Sequence, residues 1–154
     1  LAKILQRANT TMFASAVYIY LDLETGVMTA STAGHPHPII LGPDGVARKM
    51  PAAQGIALGL LDDATYQNAQ FPLLAGSRVL MYTDGLTEAA NSEGEELGVE
   101  RLIDYFNNSS PKSTKDFVHQ ALTCVAKFTG CTNQADDICM LGISYSEHEA
   151  KPGH

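Results

Sequence analysis

Acidic residues at two points of the sequence have the type and spacing needed for metal chemistry. Asp84 follows the apolar, β-prone residues 78–82 and precedes good helix formers, which predicts strand, sharp turn and helix. A carboxylate at the end of a buried strand is held rigidly, and its oxygens suit hard divalent cations such as Mg²⁺ or Mn²⁺. Asp136 and Asp137 stand directly before the apolar run 138–143, which predicts a central strand.

Each of these carboxylates also has a purely structural interpretation. Asp84 could cap the following helix by accepting a backbone N–H two or three residues further on, with Gly85 easing the turn. Asp136 and Asp137, taken alone, are ordinary turn residues. The residues themselves leave both interpretations open.

A His-x-His pair offers a second kind of site. In an extended strand, His35 and His37 would place both imidazoles on one face, a spacing compatible with zinc. Pro36 and Pro38 restrict the backbone and interrupt regular strand geometry. We therefore expect a loop between two strands, with one of the histidines hydrogen-bonded locally.

Composition bounds the class of protein. A chain of 154 residues with 45% hydrophobic content is long enough for one domain with a real core. Lys and Arg number 10 against 17 Asp and Glu, for a formal net charge of −7. Because no basic stripe is present to neutralise phosphates along a duplex, we expect no nucleic-acid partner.

The cysteines and the apolar runs bear on location. Cys124, Cys131 and Cys139 show no Cys-x-x-Cys spacing, and we expect them to be small apolar residues in a reducing cytosol. No apolar run approaches the ~18 residues of a membrane span, and no signal peptide is evident. We expect a cytoplasmic domain. A chain that begins with Leu1 rather than Met is expected to be a piece of a longer protein.

Apolar periodicity predicts strands first and helices later, an α+β arrangement with about eight strands in antiparallel hairpins. We expect the tail 146–154 to be mobile. The predicted strands are 15–21 paired with 27–33, 38–41 paired with 46–50, then 67–73, 78–82 and 138–143. The predicted helices are 1–11, 99–106 and a third that starts at a capping box of Ser113 with Asp116 and stops at Gly130, while residues 51–66 are expected to be a loop with short helical pieces.

Several short motifs occur in order along the chain. They are Ala-Gly-His-Pro at 33–36, Ala-Leu-Gly-Leu at 57–60, Tyr-Thr-Asp-Gly-Leu-Thr-Glu-Ala at 82–89, Gly-Val-Glu-Arg-Leu at 98–102 and Asp-Asp-Ile at 136–138. Together they resemble the C-terminal half of the metal-dependent protein phosphatase (PPM, or protein phosphatase 2C-like) family. The similarity is greatest to the bacterial SpoIIE-like and RsbU-like branch, and it spans residues 12–144.

The resemblance implies a fold and a set of site residues. The fold is an antiparallel β-sandwich flanked by helices, truncated at its N-terminus, with residues 1–145 forming the domain. Two Mn²⁺ or Mg²⁺ ions would be held by Asp84 and Asp136, which are the catalytic and metal-binding residues. Supporting roles fall to Gly85, Asp137, Gly34 and His35. Thr32 stands where the family usually has Asn.

The resemblance also implies an activity. The expected function is hydrolysis of phosphoserine or phosphothreonine on a signalling protein of the anti-anti-sigma type, by a water activated between two metals. An upstream sensor or receiver domain is expected in the parent protein. The family's N-terminal acidic motifs do not occur here, so we expect the isolated piece to be weakly active or inactive.

Two functions from different classes remain open. One is a fragment of an active phosphatase, and the other is a non-catalytic phosphatase-like module that binds a regulatory protein. A truncated half also predicts an exposed sheet edge, and hence a homodimer or strand exchange.

Overall fold

A computed structural model describes residues 13–130 and 137–146, which contain eight strands, two α-helices and one 3₁₀ turn. The helix predicted at residues 1–11, the residue Cys131 and nearly all of the predicted tail lie outside this part of the chain. The strands are β1 (Ala16–Leu21), β2 (Val27–Ala33), β3 (Ile39–Leu41), β4 (Ala47–Lys49), β5 (Ala53–Gly55), β6 (Ala69–Pro72), β7 (Arg78–Tyr82) and β8 (Met140–Ser144), and the helices are α1 (Gly98–Ser109) and α2 (Thr114–Thr129).

The first sheet is built around β2. Strand β1 pairs with β2 in the predicted antiparallel hairpin, and β6 pairs antiparallel with the first half of β2 on its other side. Within the described residues β1 has no second partner strand, and its Tyr18 and Tyr20 side chains are exposed. Among the described residues β1 is therefore an edge strand, and the homodimer or strand exchange expected from the sequence stays a prediction.

Strand β5 corrects the prediction for residues 51–66. It pairs with the second half of β2 in parallel, whereas the sequence analysis expected a loop with helical pieces. The buried Thr32 donates its hydroxyl to the Ala53 carbonyl at 3.0 Å, and the Gly34 N–H donates to the Gly55 carbonyl at 2.7 Å. The Ala and Gly residues of this segment have little β-propensity, and these long-range hydrogen bonds hold it in the strand conformation.

The second sheet has the order β4-β3-β7-β8 and is antiparallel throughout. The two sheets pack face to face over one apolar cluster, so the predicted sandwich is confirmed, with one parallel strand pair inside it. The buried members of that cluster are Met28, Ala30, Met50, Leu73 and Val79.

Helices α1 and α2 cover the other face of the second sheet. Phe106 and Phe117, both fully buried, meet edge to face with ring centroids 4.5 Å apart. The predicted limits of α2 are confirmed, because the Ser113 side chain accepts the Asp116 N–H at 3.0 Å and Gly130 ends the helix with a φ of 60°. The α+β class is thus confirmed. Neither described helix is long and apolar enough to cross a membrane.

Candidate active site

A cleft of about 390 Å³ opens where β2, β4 and β7 end and α1 begins. It brings together four of the residues singled out in the sequence, namely Gly34, His35, His37 and Asp84. Its walls consist of Gly34, His35, Pro36, His37, Lys49, Gln54, Tyr82, Asp84, Thr87, Glu88, Glu96, Gly98 and Val99.

Asp84 lies at the carboxyl end of β7, the strand that pairs with both β3 and β8. The helix predicted after Asp84 is a single 3₁₀ turn, Asp84–Leu86. The chain cannot continue as a helix because Thr87 and Ala89 use their carbonyls to accept the N–H groups of Gly98 and Leu97, at 2.8 and 2.9 Å. The segment after Asp84 is thereby held against the start of α1.

The Asp84 carboxylate does not cap this turn in the expected way. One of its oxygens accepts the N–H of Gly85 at 3.1 Å, while the Leu86 N–H donates to the Thr83 carbonyl. The residue is exposed, and the second carboxylate oxygen has no hydrogen-bond donor among residues 13–130 and 137–146. Asp84 therefore presents an oxygen to the cleft while Gly85 fixes the carboxylate.

Gly34 lets two loops approach closely beside Asp84. It has a φ of 65°, and a Cβ added there would lie 2.8 Å from the Ala57 Cβ and 3.0 Å from the Ala57 backbone. The residue after it, His35, has its Nδ1 3.0 Å from the Ser15 hydroxyl oxygen. A contact from the start of β1 thus holds the imidazole at the cleft wall.

His37 belongs to the same loop and is also bonded locally. Its Nδ1 lies 3.3 Å from the Met50 carbonyl oxygen, and its Nε2 is buried without a hydrogen-bond partner in the described part of the chain. The loop interpretation of residues 34–38 is confirmed, since β2 ends at Ala33 and β3 begins at Ile39. Both histidines line the cleft, yet no group of three or more His, Cys, Asp or Glu residues among those described could hold a metal ion.

Thr83 ties the Asp84 region to the closing strand, and the sequence analysis did not single it out. Its Oγ1 donates to the Asp137 carbonyl at 3.1 Å and accepts the Cys139 N–H at 2.9 Å. The Thr83 N–H also donates to the Cys139 carbonyl at 3.0 Å. The sequence signal that could have identified Thr83 is its hydroxyl side chain at the junction between a predicted strand and the turn at Asp84. Asp136 lies outside the described residues, directly before the segment that this tether holds.

Charge is unevenly distributed in the cleft. Asp84, Glu88 and Glu96 contribute carboxylates, while Lys49 contributes an ammonium group. Beneath them, burial raises the pKa of the Tyr82 hydroxyl to about 12, and the Glu100 carboxylate adds to this effect. Tyr82 is therefore a neutral phenol throughout the physiological pH range.

The oxygen ligands in the cleft are of the type that binds a hard divalent cation, but the described residues supply too few of them. Carboxylate oxygens are the ligands that Mg²⁺ and Mn²⁺ prefer. Asp84 is the predicted metal ligand that the structure describes, and hard cations require about six oxygens. The described residues therefore offer too few oxygen ligands to hold such a cation by themselves, and a metal site with Asp84 and Asp136 as ligands stays a prediction.

A comparison with family sequence profiles decides the relationship. The profile of the family described as "Stage II sporulation protein E (SpoIIE)" matches residues 1–146. The chain belongs to the SpoIIE family. The predicted relationship to bacterial phosphatases of this branch is confirmed.

Two curated relatives of this SpoIIE-family chain align over most of its length. Protein IcfG of Synechocystis sp. is 26% identical over 140 residues, which is 90% of this chain and 22% of IcfG. Phosphoserine phosphatase RsbP of Bacillus subtilis is 22% identical over 129 residues, which is 84% of this chain and 30% of RsbP. The chain thus spans less than a third of either relative.

Solved structures show the same fold. The SiaA-PP2C domain of Pseudomonas aeruginosa superposes with a TM-score of 0.75 at 19% identity, covering 92% of this chain and 56% of that one. The RsbU and RsbW domains of Rv1364c from Mycobacterium tuberculosis give 0.72 at 23% identity, covering 86% and 37%. The manganese-soaked phosphatase domain of SpoIIE from Bacillus subtilis gives 0.69 at 14% identity, covering 89% and 59%.

Proposed function

We propose that this chain is the C-terminal part of a PP2C-type serine/threonine phosphatase domain that hydrolyses phosphoserine or phosphothreonine on a signalling protein. The observation that carries the proposal is the position of Asp84, an exposed carboxylate at the rim of a cleft shared with Gly34 and His35. The cleft lies in a chain that the SpoIIE family profile matches over residues 1–146.

Mn²⁺ or Mg²⁺ is the proposed cofactor, with Asp84 and Asp136 as its protein ligands and two ions in the complete site. When bound, such ions lower the pKa of water and neutralise charge on phosphoryl oxygens. The manganese-soaked SpoIIE structure supports this choice of metal. Gly85 orients the Asp84 carboxylate, and Thr83 holds the Asp137 backbone next to it.

Gly34 and His35 support the opposite wall in this proposal. Gly34, which lines the cleft, permits the close contact with Ala57, and His35 is oriented by Ser15. Neither residue needs to contact a metal to fulfil this role.

The proposed substrate is a phosphorylated regulator of the anti-anti-sigma type. RsbP is named a phosphoserine phosphatase, and the Rv1364c structure joins an RsbU domain to an RsbW domain. The chain spans only part of each relative, so we also propose a sensor or receiver domain in the parent protein. The free thiols of Cys124 and Cys139 agree with a cytoplasmic location.

One observation favours the alternative of a non-catalytic module that binds a regulatory protein. The free edge of β1 would allow such a module to associate with a second chain by strand addition, including a copy of itself.

A calorimetric titration with Mn²⁺ separates the two functions. We expect this chain to bind Mn²⁺ with affinity weaker than about 1 μM, since its oxygen ligands are few. Binding should disappear in both Asp84→Asn and Asp136→Asn. It should persist in Glu93→Gln, which removes an exposed carboxylate that does not line the cleft.

Activity is measured in the parent protein carrying the same substitutions. Manganese-dependent release of phosphate from a phosphoserine peptide should fall by about 100-fold or more in Asp84→Asn and Asp136→Asn, as expected when a group that stabilises transition-state charge is lost. Full activity in either variant would contradict the proposed site. An inactive parent protein would support the binding module.

A further inference from the structure

Lys49 is the one lysine or arginine among the described residues that line the cleft. It ends strand β4, directly after Arg48 and before the buried Met50. The chain as a whole carries a formal net charge of −7, and three carboxylates share the cleft with this ammonium group. A single cation in an acidic cleft therefore needs an explanation.

No carboxylate among the described residues forms an ion pair with Lys49. In the part of the chain that the structure describes, the ion pairs are Arg48 with Asp44 and Arg101 with Glu95. The neighbouring Arg48 guanidinium binds Asp44 at 2.6 Å, on the surface of the β3–β4 hairpin. Lys49 is exposed and forms no such pair, so no described carboxylate holds its ammonium group. The residue lines this cleft and also a second one, beside Pro51 and Leu73.

Neutral hydrogen-bond donors accompany Lys49 on the cleft wall. Gln54, exposed at the middle of β5, carries a side-chain amide, and His35 is held by the Ser15 hydroxyl. When that hydroxyl donates to Nδ1, the neutral imidazole carries its hydrogen on Nε2 and is itself a donor. Lys49, Gln54 and His35 together supply the charge and the N–H groups that bind an anion.

We infer that Lys49, with Gln54 and His35, binds the phosphoryl oxygens of the substrate's phosphoserine inside this cleft. This inference rests on the proposed phosphatase function and names the residues that recognise its phosphorylated substrate. A phosphate monoester presents several anionic oxygens, so each of the three donors can bind a different oxygen. A lysine suits phosphate binding because its compact ammonium group can donate hydrogen bonds to oxygens in several positions.

Titration of the chain with inorganic phosphate and with a phosphoserine peptide, followed by NMR of the backbone amides, tests the inference without requiring turnover. Lys49→Ala should weaken binding of both probes by about tenfold or more, the effect of losing one charge-assisted hydrogen bond. Lys49→Arg should stay within about threefold of the original affinity, because it keeps the charge.

Arg48→Ala is the matched control. It removes the same charge from the adjacent residue, which does not line the cleft and is already paired with Asp44. Unchanged affinity in Arg48→Ala beside a tenfold loss in Lys49→Ala supports the inference. Equal losses in the two variants would mean that only the net charge matters, and would overturn it.

The two proposals can fail separately. If phosphate binding depends on Lys49 while the parent protein releases no phosphate, the anion site is supported and the catalytic function is contradicted. If the parent protein is active and Lys49→Ala changes neither the peptide affinity nor the KM for the phosphoserine peptide, the anion site is contradicted and the catalytic function is supported.

Discussion

Substitution of Gly34 by Ala should destabilise the fold at the cleft itself. Gly34 has a φ of 65°, a conformation in which a side chain costs about 1–2 kcal/mol. Its new Cβ would also lie 2.8 Å from the Ala57 Cβ and 3.0 Å from the Ala57 Cα and N atoms. Since backbone atoms cannot rotate away, this overlap should add about 1–3 kcal/mol.

Comparison with Gly45→Ala separates the cost of the steric overlap from the cost of the backbone conformation. Gly45 has a similar φ of 76°, but a Cβ added there would meet no atom within 4 Å. The conformational strain and the reduced entropy of the unfolded chain are therefore shared by the two variants. We expect Gly34→Ala to lower the free energy of unfolding by about 2–5 kcal/mol, and by about 1–3 kcal/mol more than Gly45→Ala.

Urea unfolding of the two variants and of the double variant Gly34→Ala/Ala57→Gly measures these differences. Removing the Ala57 methyl group relieves the shortest contact but leaves the two backbone contacts at 3.0 Å, so the rescue should be partial. Equal destabilisation by Gly34→Ala and Gly45→Ala would refute the close packing of the two loops.

Two further predictions concern residues around Asp84. Because the Tyr82 pKa rises from 10.0 to about 12, the folded state favours the neutral phenol, and the associated stability is fully present below pH 10. That stability, about 3 kcal/mol, should be lost as the pH rises through 12, and urea unfolding at graded pH should show the loss in the original chain and not in Tyr82→Phe. Thr83→Val should cost about 1–3 kcal/mol by removing its bonds to Asp137 and Cys139, and should weaken Mn²⁺ binding, whereas Thr83→Ser should preserve both in urea unfolding and calorimetry.

Local patterns were sufficient to predict most of the fold. The β1–β2 hairpin and helix α2 follow from alternation, a capping box and a terminal glycine, all of which act over a few residues. Strand β5 and the short turn after Asp84 could not be predicted in this way. Their conformations depend on hydrogen bonds to β2 and to the start of α1, which are distant in sequence and outweigh local propensity.

The site was predicted in part, through the resemblance more than through the residues. Gly34, His35 and Asp84 do line one cleft, although they come from separate segments. Their metal-binding and catalytic roles stay predictions, and so does the role of Asp136. Lys49 could not be predicted as a site residue, because a single lysine on a short strand has no sequence pattern that indicates ligand binding. Its position becomes informative only when the carboxylates across the cleft are seen.

The motifs that reveal the family do not by themselves distinguish an active enzyme from a binding module. Gly34 and Ala57 lie in two of these motifs, and their backbones approach closely. Thr83, in a third, hydrogen-bonds to the segment that begins β8. These residues are needed to assemble the loops whether or not a phosphoryl group is hydrolysed there. Asp84 and Lys49 are exposed residues of the cleft, and the one side-chain hydrogen bond they form within the described chain is that of Asp84 with the Gly85 N–H. Substituting them can therefore separate the two functions.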